Sequence, residues 1–232
     1  ALLVTAGWFT QRWRNSEDTT VVQTTLASQT VPLPDGSEVT LNRFSKLTYS
    51  AGFGKQNREV TLEGEAFFDV IRDESRTFVV TAGEARVEVL GTSFNVRTDQ
   101  QLGQIEVVVA TGQVKLASAV AEAAVKLKAG ERGVLHTDGG RLEASPNTDA
   151  NFSAWKTKDI IFEEASLAAV VEALNRIYGS NIRLGTAVPA TCVVTVSFHQ
   201  QSLEAVLEVL KNTLALEYRV QGDVIEIVAA GC

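Results

Sequence analysis

Three acidic residues lie close together in the first half of the chain: Glu63, Glu65 and Asp69. Paired carboxylates at short spacing can hydrolyse glycosidic bonds, one as acid and one as base or nucleophile. Strand alternation places all three on one face with Thr61 and Ile71. Leu62, Ala66, Phe68 and Val70 fall on the other. That is how a half-buried strand reads, so the expectation is a solvated acidic face. His136 and His199 are 63 residues apart and fall in different segments, which does not suggest one shared site. Gly52-Phe53-Gly54-Lys55 lacks the third glycine and the following helix of a nucleotide fingerprint and reads as a turn. No G-x-S-x-G, P-loop or H-E-x-x-H motif occurs. No catalytic, cofactor-binding or metal-ligating residue is therefore assigned, and no cofactor is expected.

The two cysteines offer different chemistry. Cys192 precedes a strand expected at 193–198, and Cys232 follows one expected at 224–228. Antiparallel neighbours would bring the start of one strand beside the end of the other, within disulfide reach. An oxidising compartment would favour that bond. The alternative is one buried thiol and one terminal thiol.

These residues are carried by two regimes of sequence. From Thr20 to about Leu142 the chain reads as short strands punctuated by glycine, with period-two alternation at Ser37 to Asn42, Arg86 to Leu90 and Val114 to Leu116. Ala117 to Ala124 is Ala-rich but has no wide apolar face, and reads as a loop. The expected class is an all-β domain, a two-sheet sandwich or a short β-solenoid-like stack, followed by a small α+β domain. The polar stretch Ser145 to Asp149, with Pro146, separates the two. Beyond it, Phe162-x-x-x-Ser166-Leu167-x-Ala169-Val170-Val171 returns as Phe198-x-x-x-Ser202-Leu203-x-Ala205-Val206-Leu207, at an offset of 36 residues. Ser166 and Ser202 are the expected helix N-caps and Gly179 a helix stop. Each helix sits between two strands, so the repeat reads as β-α-β twice, with a last hairpin strand. Two amphipathic helices on a small sheet would bury one continuous core.

The expected divisions are 1–19, 20–144, 145–150 (the linker) and 151–232. The first division begins with an apolar run, Ala1 to Phe9, followed by Arg12, Trp13 and Arg14. At nine residues it is too short to cross a bilayer. It reads as the end of a longer span with Trp8 and Trp13 in an interfacial belt, or as a first buried strand or tag remnant. A net charge of -7 argues against a nucleic-acid partner.

Several blocks occur together in order: Leu33-Pro34-Asp35-Gly36-Ser37 with Val39-Thr40-Leu41-Asn42; Arg58 to Val70, containing Gly64-Glu65-Ala66-Phe67-Phe68-Asp69; and Leu90-Gly91-Thr92-Ser93-Phe94-Asn95-Val96. Gly112-Gln113-Val114 and Leu127-x-x-Gly130-Glu131 follow. In this combination the chain resembles the FecR family of membrane-spanning sigma-factor regulators over about residues 20 to 140. The repeat is similar to that family's C-terminal domain, itself similar to the short N-terminal domain of secretins and TonB-dependent transporters.

Residue by residue, the blocks read as structural. Pro34, Asp35 and Gly36 make a turn, and Gly64 and Gly91 mark bulges or close backbone approaches. Phe67 and Phe68 face opposite sides of one strand, which is then covered on both faces. With Phe78 and Phe94 they supply core volume.

The resemblance implies a single-pass inner-membrane regulator with this region in the periplasm. Its partners would be the periplasmic signalling domain of a TonB-dependent outer-membrane transporter and, through a cytoplasmic segment, an extracytoplasmic-function sigma factor. It implies no catalytic residues. A carbohydrate-active or carbohydrate-binding β-sandwich is the alternative. Fold and family together suggest that the transporter docks on an edge strand of the second domain, with Ile160, Ile225 and Ile227 nearby. Glu163, Glu172, Glu204 and Glu208 read as solvated charge on the helices.

Overall fold

The computed structural model describes residues 19–55, 57–186, 188–189 and 191–232. The expected span remnant and its aromatic belt lie outside these residues.

Fourteen strands build the first domain: β1 (Thr19–Gln23), β2 (Gln29–Pro32), β3 (Glu38–Leu41), β4 (Lys46–Ser50), β5 (Glu59–Glu63), β6 (Glu65–Asp69), β7 (Phe78–Ala82), β8 (Ala85–Val89), β9 (Ser93–Asp99), β10 (Gln104–Thr111), β11 (Gln113–Ser118), β12 (Ala124–Lys128), β13 (Glu131–His136) and β14 (Arg141–Pro146). They form two seven-stranded sheets, ordered β1-β4-β5-β7-β8-β11-β12 and β2-β3-β6-β9-β10-β13-β14. Both orders rise steadily with sequence. The chain therefore lays down strands in one sheet, crosses to the other and returns, advancing along the stack. This is a sandwich wound in the manner of a solenoid, and both architectures expected from the strand spacing are present in it. The inner faces interdigitate through Phe68, Phe78, Phe94, Leu41, Leu62, Leu116 and Leu135, all with little or no solvent exposure. Phe68 stacks on Phe94 with centroids 5.0 Å apart, and Phe53, from the Gly-Phe-Gly turn, closes edge-on against Phe78.

The crossings need unusual backbone. Gly64 stands between β5 in the first sheet and β6 in the second, at φ +92°, and a Cβ there would lie 2.5 Å from Ser45 Oγ. Only glycine combines that conformation with that approach. Ala117 to Ala124 supplies the expected loop between β11 and β12, apart from its two ends, which lie in strands.

The second domain contains α1 (Ala154–Thr157), β15 (Asp159–Ser166), α2 (Leu167–Tyr178), β16 (Asn181–Leu184), β17 (Val193–His199), α3 (Leu203–Leu214), β18 (Glu217–Gln221) and β19 (Val224–Ala229). The serine caps form as the sequence requires: Ser166 Oγ accepts from Ala169 N at 3.2 Å, and Ser202 Oγ from Ala205 N at 3.3 Å. Gly179 is the left-handed C-cap of α2. The repeat's apolar residues, including Phe162, Val170, Leu174, Phe198, Val206 and Leu210, share one core.

The strands beneath that core are arranged differently from the expectation. They form two sheets: the first strands of the two repeats pair as β15-β17, and the second strands flank the hairpin strand as β16-β19-β18. Glu163 belongs to β15 and not to a helix. Moreover, β19 is the central strand of its sheet, paired in parallel to β16 and antiparallel to β18, so Ile225 and Ile227 border no free edge. Ile160 is fully buried, and the outer edge of β15 is occupied nearby. Asn151 Nδ2 donates to Ile161 O at 2.7 Å, and Ile161 N donates to Asn151 Oδ1 at 2.8 Å. A side-chain amide there takes the place of a pairing strand. Ile225 and Ile227 consequently do not mark an edge, whereas β15 is an outer strand as expected, with its outer backbone groups at Ile161 taken by Asn151; β18 lies at the outside of its sheet.

Cys192 and Cys232 are joined by a disulfide with Cα atoms 5.4 Å apart. The route to this proximity is not the one that strand adjacency suggests. Cys192 precedes β17 and Cys232 follows β19, and these strands lie in different sheets, so the bond ties the two sheets together. We expect protein from an oxidising compartment to take up no alkyl group without reductant. Cys232→Ser should lower stability by about 2–4 kcal/mol in urea unfolding, because the bond closes a loop of 40 residues in the unfolded chain. Equal unfolding midpoints would remove that role.

Candidate functional site

Period-two alternation sends Phe68 into the sandwich core, so Glu65, Phe67 and Asp69 point out from the other side of β6. Asn95 on β9 lies directly opposite Phe67, and Arg97 opposite Glu65. This outer face is not left to solvent. After β14 the chain turns through Asn147, Asp149 and Asn151 and lays α1 across it.

Trp155 is the anchor. Its side chain is buried, and its indole N–H donates to Asn95 Oδ1 at 3.3 Å. Asn95 Nδ2 donates to Glu65 Oε1 at 2.9 Å, and Asn42 Nδ2 donates to Glu65 Oε2 at 2.7 Å. Asn42, Glu65 and Asn95 are all buried, and each carboxylate oxygen of Glu65 thus has an amide donor. Buried polar groups are tolerated when satisfied in this way, and such a network then favours one arrangement over its alternatives. Beside it, Lys156 lies 4.2 Å above the Phe67 ring and reaches Asp69 Oδ2 at 2.8 Å.

A second contact involves the C-terminus of α2. Arg43 Nη2 donates to Asn175 O at 3.2 Å, and Lys158 Nζ donates to Ile177 O at 3.0 Å. Cations at the last carbonyls of a helix satisfy free acceptors and oppose the dipole. Burial pushes the Arg43 guanidinium below its ordinary pKa while Glu65 pushes it up. Burial, then the Arg43 charge, also lower Lys158. A Cβ at Gly179 would lie 2.8 Å from Arg43 Nε, so this glycine serves the junction as well as the cap. Arg176 ties the connecting segment to α2 through Asp149 Oδ2 at 2.7 Å.

The network continues towards the start of the described chain. Thr24, one residue beyond β1, is buried. Its hydroxyl donates to Asn42 O, lies 3.1 Å from Ser45 O, and accepts from Ser45 N. Ser45 Oγ in turn accepts from Glu65 N at 2.9 Å. Trp155, Asn95, Glu65, Asn42 and Thr24 therefore form one connected path.

The acidic face is thus corrected in part. Alternation assigned its side properly, but Glu65 and Asp69 serve a domain junction, and Glu63 sits across the Gly64 crossing on β5, exposed and paired with Lys46. His136 pairs with Glu143 and His199 with Asp159, in different domains. Among the described residues, no group of three or more His, Cys, Asp or Glu could hold a metal ion, and no helix is long and apolar enough to cross a membrane. Sequence reasoning missed Trp155. The available signal was a tryptophan directly after a polar linker, in a segment too short to show helical period.

The family model described as FecR protein matches residues 19–115, and that described as FecR, C-terminal matches residues 159–227. Two crystal structures of a proposed anti-sigma factor from Parabacteroides distasonis are similar to this chain. One, at 2.50 Å, is 30% identical with TM-score 0.68 and covers 91% of this chain and 99% of its own. The other, at 1.65 Å, is 30% identical with TM-score 0.69 and covers 90% and 99%. No curated protein matches.

Proposed function

This chain belongs to the FecR family of sigma-factor regulators, and from that premise we propose that it is the periplasmic, signal-receiving part of a membrane-anchored regulator. On this reading it meets the periplasmic signalling domain of a TonB-dependent outer-membrane transporter. It passes the event through the inner membrane to an extracytoplasmic-function sigma factor, acting by protein–protein contact and without chemistry of its own.

The observation that carries the reading is the use made of the family-motif polar residues. Asn42, Glu65 and Asn95 are engaged in a junction between the two domains, and that junction connects to Thr24 beside β1. A partner that alters the seating of the second domain thereby acts on the strand nearest residues 1–18. A pulldown tests this. The 232-residue chain should retain the signalling domain of a TonB-dependent transporter from the same organism, and a strain with the Trp155→Ala regulator should show altered sigma-dependent transcription at unchanged regulator abundance. Failure to retain that domain, with sigma output indifferent to the transporter's ligand, would overturn the transporter relay.

A further inference from the structure

Beside the junction, the turn Asn42-Arg43-Phe44-Ser45 carries an unexpected side chain. Phe44 is 67% exposed, and its backbone lies in the left-handed region at φ +53°. A bulky residue rarely adopts that conformation, and it persists only where surrounding bonds impose it. Here they do: Phe44 N donates to Thr25 O at 2.8 Å, and Ser45 N to Thr24 Oγ1 at 2.9 Å. The fold thus holds an aromatic ring out in water at some cost, where asparagine or glycine would sit without strain. Leu26, 81% exposed, follows the residue that accepts from Phe44, so two large apolar side chains stand at neighbouring positions in the open.

The same turn borders a pocket of about 210 Å³ into which Arg43, Arg97 and Arg176 contribute, with Glu65. Both oxygens of Glu65 are already held by amides. Arg97 and Arg176 reach Glu106 and Asp149 through Nη2, yet each keeps a buried Nε–H without an acceptor among the described residues. A buried donor left unmade is costly, and an arriving oxygen anion relieves that cost. Guanidinium groups suit carboxylates in particular, through paired N–H···O bonds.

We propose that this surface binds a polypeptide segment of a partner in which an acidic side chain adjoins a large apolar one. The carboxylate enters the arginine pocket, and the apolar residue packs on Phe44 and Leu26. The assignment does not depend on which protein supplies the segment, and it stands or falls separately from the transporter relay.

The test is to pan a display library of random dodecapeptides on the immobilised 232-residue chain. Enriched peptides should carry Asp or Glu beside Leu, Phe or Trp. Replacing that acidic residue by its amide should weaken binding by about tenfold or more. Phe44→Asn is the informative variant, because asparagine accepts the backbone conformation. It should match or exceed the parent in Tm while losing binding by a similar factor. Arg176→Gln should also weaken the acidic peptides and leave their amide forms unchanged. Enrichment of basic or purely apolar sequences, no enrichment, or binding indifferent to Phe44→Asn would overturn the assignment. So would a dimer in sedimentation that Phe44→Asn abolishes, since the occupant would then be a second copy.

Discussion

Trp155→Ala is expected to divide the unfolding of this protein into two transitions and to remove about 3–5 kcal/mol from the first, the range typical of deleting a buried aromatic side chain. The tryptophan is 2% exposed, although the core of its own domain is built from other residues, so its burial is chiefly a property of the junction. Loss of the indole also strips Asn95 Oδ1 of a donor, in a network where Asn95 Nδ2 is already committed to Glu65. Trp155→Phe separates the two contributions: it retains most of the buried ring and removes the N–H, and should cost about 1–2 kcal/mol. Calorimetry reads the division of the melt. Hydrogen exchange reads its reach, with faster exchange at Thr24 and Ser45 as well as at α1. A single transition in Trp155→Ala, with exchange at Thr24 unchanged, would show that the domains are coupled elsewhere.

Arg58→Met should be at least as damaging, and within the first domain alone. The Arg58 and Asp35 side chains are 1% and 2% exposed and meet at 2.7 Å. Arg58 further donates to the carbonyls of Arg76 and Ile71 and lies 5.4 Å from the Phe78 ring centre. Removing one partner of a buried pair strands the other as an unpaired charge, at about 3–5 kcal/mol. Asp35 also holds Ser37 through its backbone N–H and its hydroxyl, so the turn after Pro34 loosens together with the ion pair. The double variant Asp35→Ala, Arg58→Met should be less destabilised than the sum of the single variants, because the second change removes the stranded charge. Urea denaturation of the three variants provides the cycle. Strict additivity would mean that the two charges are not coupled.

The sequence was most legible where a residue acts through local geometry. Ser166, Ser202 and Gly179 declared the helix ends because caps are set by backbone groups a few residues away. The opposite orientations of Phe67 and Phe68 followed from strand period alone, and so did a covering layer on both faces. What covers Phe67 was not legible: it is a lysine nearly ninety residues later in the chain. Arg58 opens one of the family-like blocks and Asp35 stands in another, but pairing across 23 residues carries no periodic signal. The expectation of an edge at β19 failed for a related reason. A hairpin strand after a repeat reads as terminal, yet β19 is inserted between β16 and β18, and only the three-dimensional pairing of the two repeats shows it.

The steady rise of both strand orders bears on when each part of the molecule can form. No strand of the sandwich pairs with one more than three positions away in the chain, so the stack can grow from one end as residues are delivered. The junction cannot. It needs Asn42, Glu65 and Asn95, which come early, and Trp155, which comes after the whole stack. Seating of the second domain is thereby the closing act of assembly. By the same ordering it is the step most readily reversed without disturbing the rest, which makes a finished sandwich with its second domain undocked the natural neighbour of the native state.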